Sequence, residues 1–328
     1  MELINQTTEF HIDEPCAVAI GKFDGIHLGH RALLSEVMAA RKQGLKTAVF
    51  TFDPSPGAYF RSLSIEPLGP FRELLTVEEK RSLFEEMGID YLVEYPFGRD
   101  TAAVTPEDYV NRFLLEQMHA RLIVAGEDVS FGRNGAGDAE TLEELAEAYN
   151  SNPARKDGDT VSIRIIPKVC LHGREISSTL VRECVHDGDM ERAAEFLGQP
   201  FVIRGTVQRG NRIGHSLGMP TANLYPKENK LLPPNGVYFS ESMTRDGGIR
   251  RGITNIGSKP TIGEAVPRIS VETYLFDFDR ELYDSPLEVR ILHFCRPEQK
   301  FFGLDELREQ MQKDADACRA YFENKTKQ

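Results

Sequence analysis

The sequence predicts an α/β domain followed by an antiparallel β domain, and three observations support this order. Between residues 16 and 183, apolar runs of strand length alternate with segments of helical periodicity, which is typical of a parallel sheet covered by helices. After residue 200, short runs of period-two alternation are separated by glycine and proline, which favours an antiparallel barrel or sandwich. Helical periodicity returns in residues 304–322, where we expect a final amphipathic helix.

The elements of the first domain follow from local signals. Apolar runs that stop at proline or glycine predict strands, and caps that precede apolar spacing predict helices. Thr105 and Pro106 are a helix cap and a first helical residue, and Gly88 closes an earlier helix. The expected strands cover residues 17–20, 47–52, 89–93 and 122–125, and the expected helices begin near residues 31, 78, 106, 141 and 177.

The second domain is predicted to consist mainly of strands. The composition changes near residues 185–200, so we assign residues 1–184 to the first domain and residues 185–328 to the second. A chain of 328 residues with 40% hydrophobic content can bury a core in each. The clearest expected strands cover residues 201–207, 236–240, 251–257, 269–276 and 287–292.

Charge and cysteine content limit the function classes. The net charge of −12 argues against non-specific binding of nucleic acid, which depends on neutralising phosphates. The five cysteines form no CxxC pair, so neither a zinc nor a redox motif is indicated, and their scattered positions fit a reducing cytoplasm. The sequence shows no signal peptide and no apolar run near the ~20 residues of a membrane span. We expect a cytoplasmic monomer or transient oligomer without nucleic-acid or membrane partners.

The most informative segment is a glycine-rich turn, GKFDGIHLGH, at residues 21–30. It lies between a strand and a helix, where free backbone N–H groups and the positive helix end suit a phosphate. Two histidines add imidazole donors, so a nucleoside triphosphate is the expected ligand; the alternative is a tight turn with two surface histidines. The turn residues that we assign to ATP are Gly21, Phe23, Asp24, Gly25, His27, Gly29 and His30.

Three further segments of the first domain are candidate sites. Residues 53–56 and the loop at residues 126–138 both follow strands, at the sheet edge where ligands bind. Phe131 in that loop offers a ring for stacking, although an ordinary loop that caps the next helix is the alternative. The motif ISSTLVR, at residues 176–182, begins a helix with hydroxyl groups and places Arg182 on the face of Ser178. A guanidinium there can clamp pyrophosphate oxygens, and the alternative is a well-capped helix.

The second domain contains two groups suited to phosphoryl transfer. Thr221 and Asn223 lie two residues apart in LGMPTANL, so an extended backbone points both the same way. Their hydroxyl and amide oxygens are hard ligands that suit Mg²⁺. Glu272 lies on a predicted strand and is a candidate base for a substrate hydroxyl. An ordinary turn and an outward-facing surface glutamate remain the alternatives.

The chain resembles the prokaryotic bifunctional riboflavin kinase/FAD synthetase family from about residue 15 to residue 322. The resemblance implies a Rossmann-like nucleotidyltransferase domain that adenylates FMN to FAD, followed by a six-stranded β-barrel with a C-terminal helix that phosphorylates riboflavin. It also implies that both reactions use ATP and Mg²⁺. The motifs that carry it are GKFDGIHLGH (21–30), FTFDPSP (50–56), GEDVSFG (126–132), ISSTLVR (176–182), LGMPTANL (217–224), NIGSKPT (255–261) and VETYLFDFDRELY (271–283).

The resemblance also implies roles for individual residues. His27 and His30 hold ATP phosphates in the adenylyltransferase site, and Arg182 completes that cradle together with the hydroxyls of Ser177, Ser178 and Thr179. In the kinase site, Thr221 and Asn223 bind Mg²⁺ and nucleotide phosphate, and Glu272 is the base. The remaining implied contacts are Asp53, Pro54, Asp128, Phe131 and Gly132 for the flavin, and Gly218 and Pro220 for ATP.

Two positions depart from the family pattern. The family usually carries arginine where this chain has His215, and Arg212 nearby is a substitute for its charge. Ser55 stands where many relatives carry histidine. We expect such changes to affect affinity or pH dependence without removing a catalytic group.

Two rival functions stay open: a single-activity adenylyltransferase whose barrel only binds flavin, and a non-enzymatic sensor of flavin or nucleotide.

Overall fold

The computed structural model describes residues 1–64, 71–153, 159–210, 214, 217–259 and 268–326. The chain divides into two compact units, Met1–Ser178 and Thr179–Gln328. The boundary expected from composition, after residue 184, lies within the helix Ser178–Asp187. In the part of the chain that the structure describes, no helix is long and apolar enough to cross a membrane.

A parallel sheet forms the centre of the first unit, which confirms the predicted α/β class. Among the described residues it has six strands in the order β1-β4-β3-β2-β5-β6, and each neighbouring pair is parallel. β2 lies between β3 and β5, and every residue in it is buried. The glycine-rich turn therefore follows a fully buried strand. The strands are β1 (Glu2–Asn5), β2 (Cys16–Ile20), β3 (Lys46–Asp53), β4 (Tyr91–Pro96), β5 (Ala120–Gly126) and β6 (Ser162–Ile166).

Side-chain caps begin several of the helices between these strands, and the cap predicted at Thr105 is among them. Thr76 and Glu79 form a reciprocal capping box at the start of α3, and the Thr105 side chain accepts from the backbone of Asp108. Gly88 follows α3 with a φ of 80°, a left-handed conformation that glycine adopts without strain. The helices are α1 (Leu28–Ala39), α2 (Pro56–Ser62), α3 (Val77–Glu86), α4 (Arg99–Ala102), α5 (Pro106–Asp108) and α6 (Ala139–Asn150), with 3₁₀ turns at Ala40–Gln43 and Arg133–Gly135.

One helical segment differs from the ordinary α-helix expected after Thr105. The residues Tyr109–Gln117 form a π-helix, and the N–H of Met118 accordingly donates to the carbonyl of Phe113, five residues earlier. Six of its nine side chains are buried. The wider turn lets more apolar side chains face the sheet than the helical spacing in the sequence suggests.

Two short strands and two helices follow the parallel sheet. The strands β7 (Cys170–Leu171) and β8 (Arg174–Glu175) form a small hairpin. The helices are α7 (Ser178–Asp187) and α8 (Met190–Leu197), and α8 ends at Gly198 with a left-handed φ of 70°.

The second unit is an antiparallel sheet, as predicted. Its six described strands follow the order β10-β13-β12-β11-β14-β9, and a bridge between Gln208 and Asn223 brings its two edges together. The C-terminal helix Leu304–Thr326 packs Cys318 and Phe322 against a core cluster that includes Phe239. The strands are β9 (Phe201–Thr206), β10 (Thr221–Leu224), β11 (Gly236–Thr244), β12 (Ile249–Lys259), β13 (Arg268–Leu275) and β14 (Pro286–Pro297).

Candidate active sites

The glycine-rich turn lies at the carboxyl end of β2, where parallel sheets of this class bind ligands. Phe23, Gly25 and Ile26 have φ angles of 51°, 90° and 46°, so three nearly consecutive residues are left-handed. Only glycine adopts this conformation without strain. The turn reverses the chain and directs it into α1.

His27 caps the N-terminus of α1 with its imidazole. Its Nδ1 accepts from the backbone N–H of His30 at 3.4 Å, so the neutral ring carries its proton on Nε2. The rings of His27 and His30 stack, with centroids 3.8 Å apart. A Cβ on Gly29 would lie 3.1 Å from the His27 ring, so glycine at this position leaves room for the stacked pair.

Both imidazoles are held neutral. Burial lowers the pKa of His27 to about 4, although the carboxylates of Asp24 and Asp128 act in the opposite direction. Burial also lowers the pKa of His30 well below its usual range, and the charges of His27 and Lys80 add to that effect. Among the described residues, Nδ1 of His30 is buried without a hydrogen-bond partner. The pair therefore offers neutral N–H donors at a helix N-terminus.

The side chains of the turn fix its shape. The Phe23 ring is fully buried, 5.1 Å from the ring of His30. A carboxylate oxygen of Asp24 accepts from the backbone N–H of Leu74 at 2.8 Å, and the Ser178 hydroxyl donates to the Asp24 carbonyl at 2.8 Å. The structure thus joins Ser178 to the turn, as the sequence predicts. The contribution of Phe23 and Asp24 to ATP binding stays a prediction.

The other predicted members of this cradle are placed as follows. Ser177 is exposed and directly precedes α7. Thr179 and Arg182 lie on α7 in the unit that begins at residue 179; Thr179 is exposed and Arg182 is half-buried. Gly21 begins the turn and donates its N–H to the carbonyl of Phe50 at 3.3 Å. The contribution of these residues to ATP binding stays a prediction.

The predicted flavin contacts lie at the ends of β3 and β5, the strands on either side of β2. Asp53 and Pro54 are exposed at the end of β3. Asp128 is exposed after β5, and its carboxylate is near enough to affect the His27 imidazole. The Phe131 ring is only 6% exposed and stacks on the Tyr109 ring at 5.1 Å, so one face of the expected stacking platform is already covered. Gly132 follows with a φ of 72°, close against Pro106.

In the second unit, three polar residues lie in one row across the sheet. Glu272 on β13 is in register with Asn223 on β10 and with Asn255 on β12. All three line a cavity of about 250 Å³. Its other walls include Thr221, Tyr274, Arg296, Phe301, Leu307 and Met311, the last two from the C-terminal helix.

Asn223 lines this cavity and has a buried amide oxygen without a partner among the described residues. The side chain is 5% exposed, its Nδ2 donates to the carbonyl of Thr221 at 3.1 Å, and its Oδ1 has no partner among the described residues. A Cβ on Gly210 would lie 2.6 Å from Oδ1, so the Asn223 amide packs against a position where glycine leaves room for it. A hard cation satisfies such an oxygen, and the Thr221 hydroxyl is a second oxygen of the same kind. The two residues therefore fit the Mg²⁺ that the sequence implies.

Glu272 is half-buried and oriented by a neighbour on its own strand. The hydroxyl of Ser270 donates to Oε1 of Glu272 at 3.2 Å, and Ser270 is itself buried. Two residues apart on a strand, both side chains lie on the same face of the sheet. The outward-facing surface glutamate considered from sequence is therefore excluded.

A second cavity of about 310 Å³ borders the first at Thr221. Pro220, Thr221 and Ala222 line it together with Thr273 and residues 278–283. Gly218, just before them, has a φ of 75° and turns the chain toward β10. Thr221 thus lies between two cavities, which suits a residue that contacts two substrates at once.

Comparisons with known proteins decide the family. A model described as FAD synthetase matches residues 9–180, and one described as riboflavin kinase matches residues 197–322. The chain belongs to the bifunctional riboflavin kinase/FMN adenylyltransferase family. The family member of Listeria monocytogenes is 32% identical over 317 residues, which cover 96% of this chain and 95% of the relative. The family member of Bacillus subtilis is 33% identical over 310 residues, which cover 94% of this chain and 92% of the relative.

A solved structure matches nearly the whole chain. It is described as a macrolide-efflux protein from Streptococcus pneumoniae, and it aligns with a TM-score of 0.78 and 28% identity, covering 97% of this chain and 98% of its own. The two family models and the curated relatives confirm the family resemblance predicted from ordered motifs.

Membership of the family does not by itself identify the site residues of this chain, so their assignment depends on the geometry. Sequence reasoning missed Asn255 and Ser270, because only strand register and a cross-residue hydrogen bond connect them to Glu272. The NIGSKPT motif was a usable signal for Asn255. Of the two departures from the bifunctional family's pattern, Ser55 caps α2 by accepting from the backbone of Ala58 at 3.3 Å. His215 and Arg212 lie outside the described residues.

Proposed function

We propose that this chain phosphorylates riboflavin to FMN in its second unit and adenylates FMN to FAD in its first, with one ATP for each step. The proposal is supported by the observation that each unit brings together polar groups suited to phosphate transfer. The first has a neutral histidine pair at a helix N-terminus. The second has an oriented carboxylate in register with an unpartnered amide oxygen.

In the kinase reaction, the flavin occupies the 250 Å³ cavity, which combines the Glu272 carboxylate with the apolar side chains of Phe301, Leu307 and Met311. Glu272 accepts the proton of the terminal ribityl hydroxyl. That oxygen bonds to the γ-phosphorus of ATP, the bond to the β-phosphate oxygen breaks, and ADP leaves. Positioning and charge stabilisation supply most of the catalysis in such transfers.

ATP for this step occupies the adjoining 310 Å³ cavity, and Thr221 lies where its phosphates meet the flavin. Mg²⁺ on the oxygens of Thr221 and Asn223 would neutralise phosphate charge there. The described residues contain no group of three or more His, Cys, Asp or Glu side chains arranged for a metal. The oxygens of Thr221, Asn223 and the nucleotide itself would then make up the coordination.

In the adenylyltransferase reaction, a phosphate oxygen of FMN bonds to the α-phosphorus of ATP, and pyrophosphate leaves. The phosphate of FMN is already a nucleophile, so no protein base is needed. The site stabilises charge on the transferring and leaving groups instead. Nε2–H of His27, the His30 ring and the N-terminus of α1 are suited to this. Ser178, whose hydroxyl donates to the Asp24 carbonyl, completes the cradle in this proposal.

Incubation of the purified protein with riboflavin, ATP and Mg²⁺, followed by chromatography of the flavins, tests the proposal. We expect FMN to appear first and FAD to follow. If the protein only adenylates FMN, riboflavin stays unchanged while added FMN is converted. If the protein is a sensor, neither flavin is converted and no pyrophosphate is released.

We further propose that the enzyme works in the cytoplasm as a monomer or transient oligomer, without nucleic-acid or membrane partners.

A further inference from the structure

A pair of charged residues lies beside the adenylyltransferase site without an assigned role. Arg81 on α3 donates from Nε to both carboxylate oxygens of Glu94 on β4, at 3.0 and 3.1 Å, and also from Nη2. The Glu94 side chain is 3% exposed, whereas that of Arg81 is 29% exposed. In the described structure, Nη1 of Arg81 donates no hydrogen bond. Glu94 therefore fixes one edge of the guanidinium and leaves other donors available.

The helix that carries Arg81 packs directly on the glycine-rich turn. Phe84 lies three residues after Arg81 and so on the same face of α3. Its ring contacts the ring of Phe23 edge to face, with centroids 5.5 Å apart. Phe23 is a residue of the turn, so the face of α3 that presents Arg81 is the face that meets the turn.

The sheet places the Glu94 end of the pair near the turn as well. Glu94 on β4 is in register with Thr51 on β3, and residues in register on neighbouring parallel strands share a face. The Thr51 hydroxyl lies 3.5 Å from the carbonyl oxygen of Lys22, which belongs to the turn. Glu94 therefore holds Arg81 one strand away from the backbone expected to bind ATP.

Arg81 also lies near the segment expected to contact the flavin. Asp53 ends β3 two residues after Thr51. Thr51 is the register partner of Glu94, so Asp53 lies further along the same face of the sheet. The hydrogen bonds that Arg81 donates to Glu94 raise the pKa of Arg81. The preceding residue, Lys80, instead lies buried 4.0 Å from Glu73. Of these two neighbouring cations, Arg81 is the accessible one.

We propose that Arg81 binds the phosphate monoester of FMN and makes this site select phosphorylated flavin over riboflavin. The inference rests on the proposed function, in which the FMN phosphate meets the α-phosphate of ATP between the flavin segment and the turn. A guanidinium binds phosphate through paired, charge-assisted hydrogen bonds. The buried Glu94 holds the guanidinium in one orientation before FMN arrives.

The test is steady-state FAD formation from FMN and ATP by Arg81→Gln and by the double variant Arg81→Gln/Glu94→Gln. The double variant removes both charges, so it does not leave a buried carboxylate unpaired if the single variant fails to fold. We expect the KM for FMN to rise by about 10- to 100-fold, the loss typical of a charge-assisted hydrogen bond. The KM for ATP and the rate of riboflavin phosphorylation stay within about twofold.

A matched control is Arg41→Gln/Asp90→Asn. Arg41 bonds Asp90 at 2.9 Å before β4 begins, so this pair lies at the opposite end of the same strands. The variant Arg41→Gln/Asp90→Asn is expected to leave the KM for FMN unchanged. The assignment is overturned if the folded double variant keeps the wild-type KM for FMN, or if the KM for ATP rises instead. If the wild-type protein forms no FAD from FMN, the proposed function itself is wrong and the assignment goes with it.

Discussion

Asn223 and Glu272 face each other across the antiparallel strands β10 and β13 and line one cavity. One contributes an amide oxygen without a partner among the described residues, and the other contributes a carboxylate held by Ser270. A cation ligand beside a base is the arrangement that phosphoryl transfer to a hydroxyl requires. This relationship leads to the first prediction.

Glu272→Gln is expected to lower riboflavin phosphorylation by about 10²- to 10⁴-fold, because the amide cannot accept the ribityl proton. FAD formation from added FMN stays near the wild-type rate, since that reaction needs no protein base. Both rates are measured on one preparation. Glu309→Gln, at an exposed position of the C-terminal helix, is the control. Loss of both activities in folded Glu272→Gln protein would contradict the assignment.

His30→Ala is expected to reduce FAD formation from FMN by about 10²- to 10³-fold, the usual effect of removing one donor to a charged transition state. The kinase rate stays unchanged. His11→Ala removes an exposed imidazole from the same unit and serves as the control. A His30→Ala protein that makes FAD at the wild-type rate would exclude His30 from the cradle.

Ser270→Ala is expected to lower kcat of the kinase by about fivefold, the value of one net hydrogen bond of about 1 kcal/mol. Its KM for riboflavin changes little, because Ser270 positions the base and does not touch the flavin. Ser270→Thr keeps a hydroxyl and should restore most of the rate. Ser242→Ala is the control: its hydroxyl is buried in the same sheet without a partner among the described residues. An unchanged kcat in Ser270→Ala would show that the hydrogen bond from Ser270 does not position Glu272.

The first unit is expected to lose stability as the pH falls from about 6.5 toward 4. The pKa of His27 is about 4 in the folded protein and 6.5 in its usual range. Between these values the unfolded chain binds more protons, so folding is favoured above pH 6.5 and progressively less favoured below it. The difference corresponds to roughly 3 kcal/mol.

His27→Asn isolates this effect, because asparagine is a good helix cap and does not titrate. Urea unfolding of the first unit is measured for both proteins at pH 7 and pH 4.5. The wild-type protein should lose more stability between the two pH values than the variant. Equal losses would show that His27 does not titrate in this range.

The sequence predicted the order and type of most elements because their signals are local. Thr105 and Gly88 act on the residues beside them, and the structure confirms the helix start and the helix end that they predict. The π-helix at Tyr109–Gln117 was not predicted. The apolar spacing in the sequence does not distinguish it from an α-helix, whereas burial against the sheet does.

The composition of the two sites was predictable, but much of their geometry was not. The row from Asn223 through Glu272 to Asn255 depends on the register of three strands, which their distant turns set. Likewise, Asp24 is bound to Leu74, fifty residues away, and the sequence offers no signal for that contact. Phe131 was predicted as an open stacking platform, whereas its ring packs on Tyr109.

The most direct test of two separate sites in one chain is to mix the two single-site variants. Riboflavin, ATP and Mg²⁺ are supplied to Glu272→Gln alone, to His30→Ala alone and to an equal mixture, and the flavins are separated by chromatography. We expect unchanged riboflavin from the first, FMN from the second and FAD from the mixture. A mixture of folded proteins that yields no FAD would contradict the account.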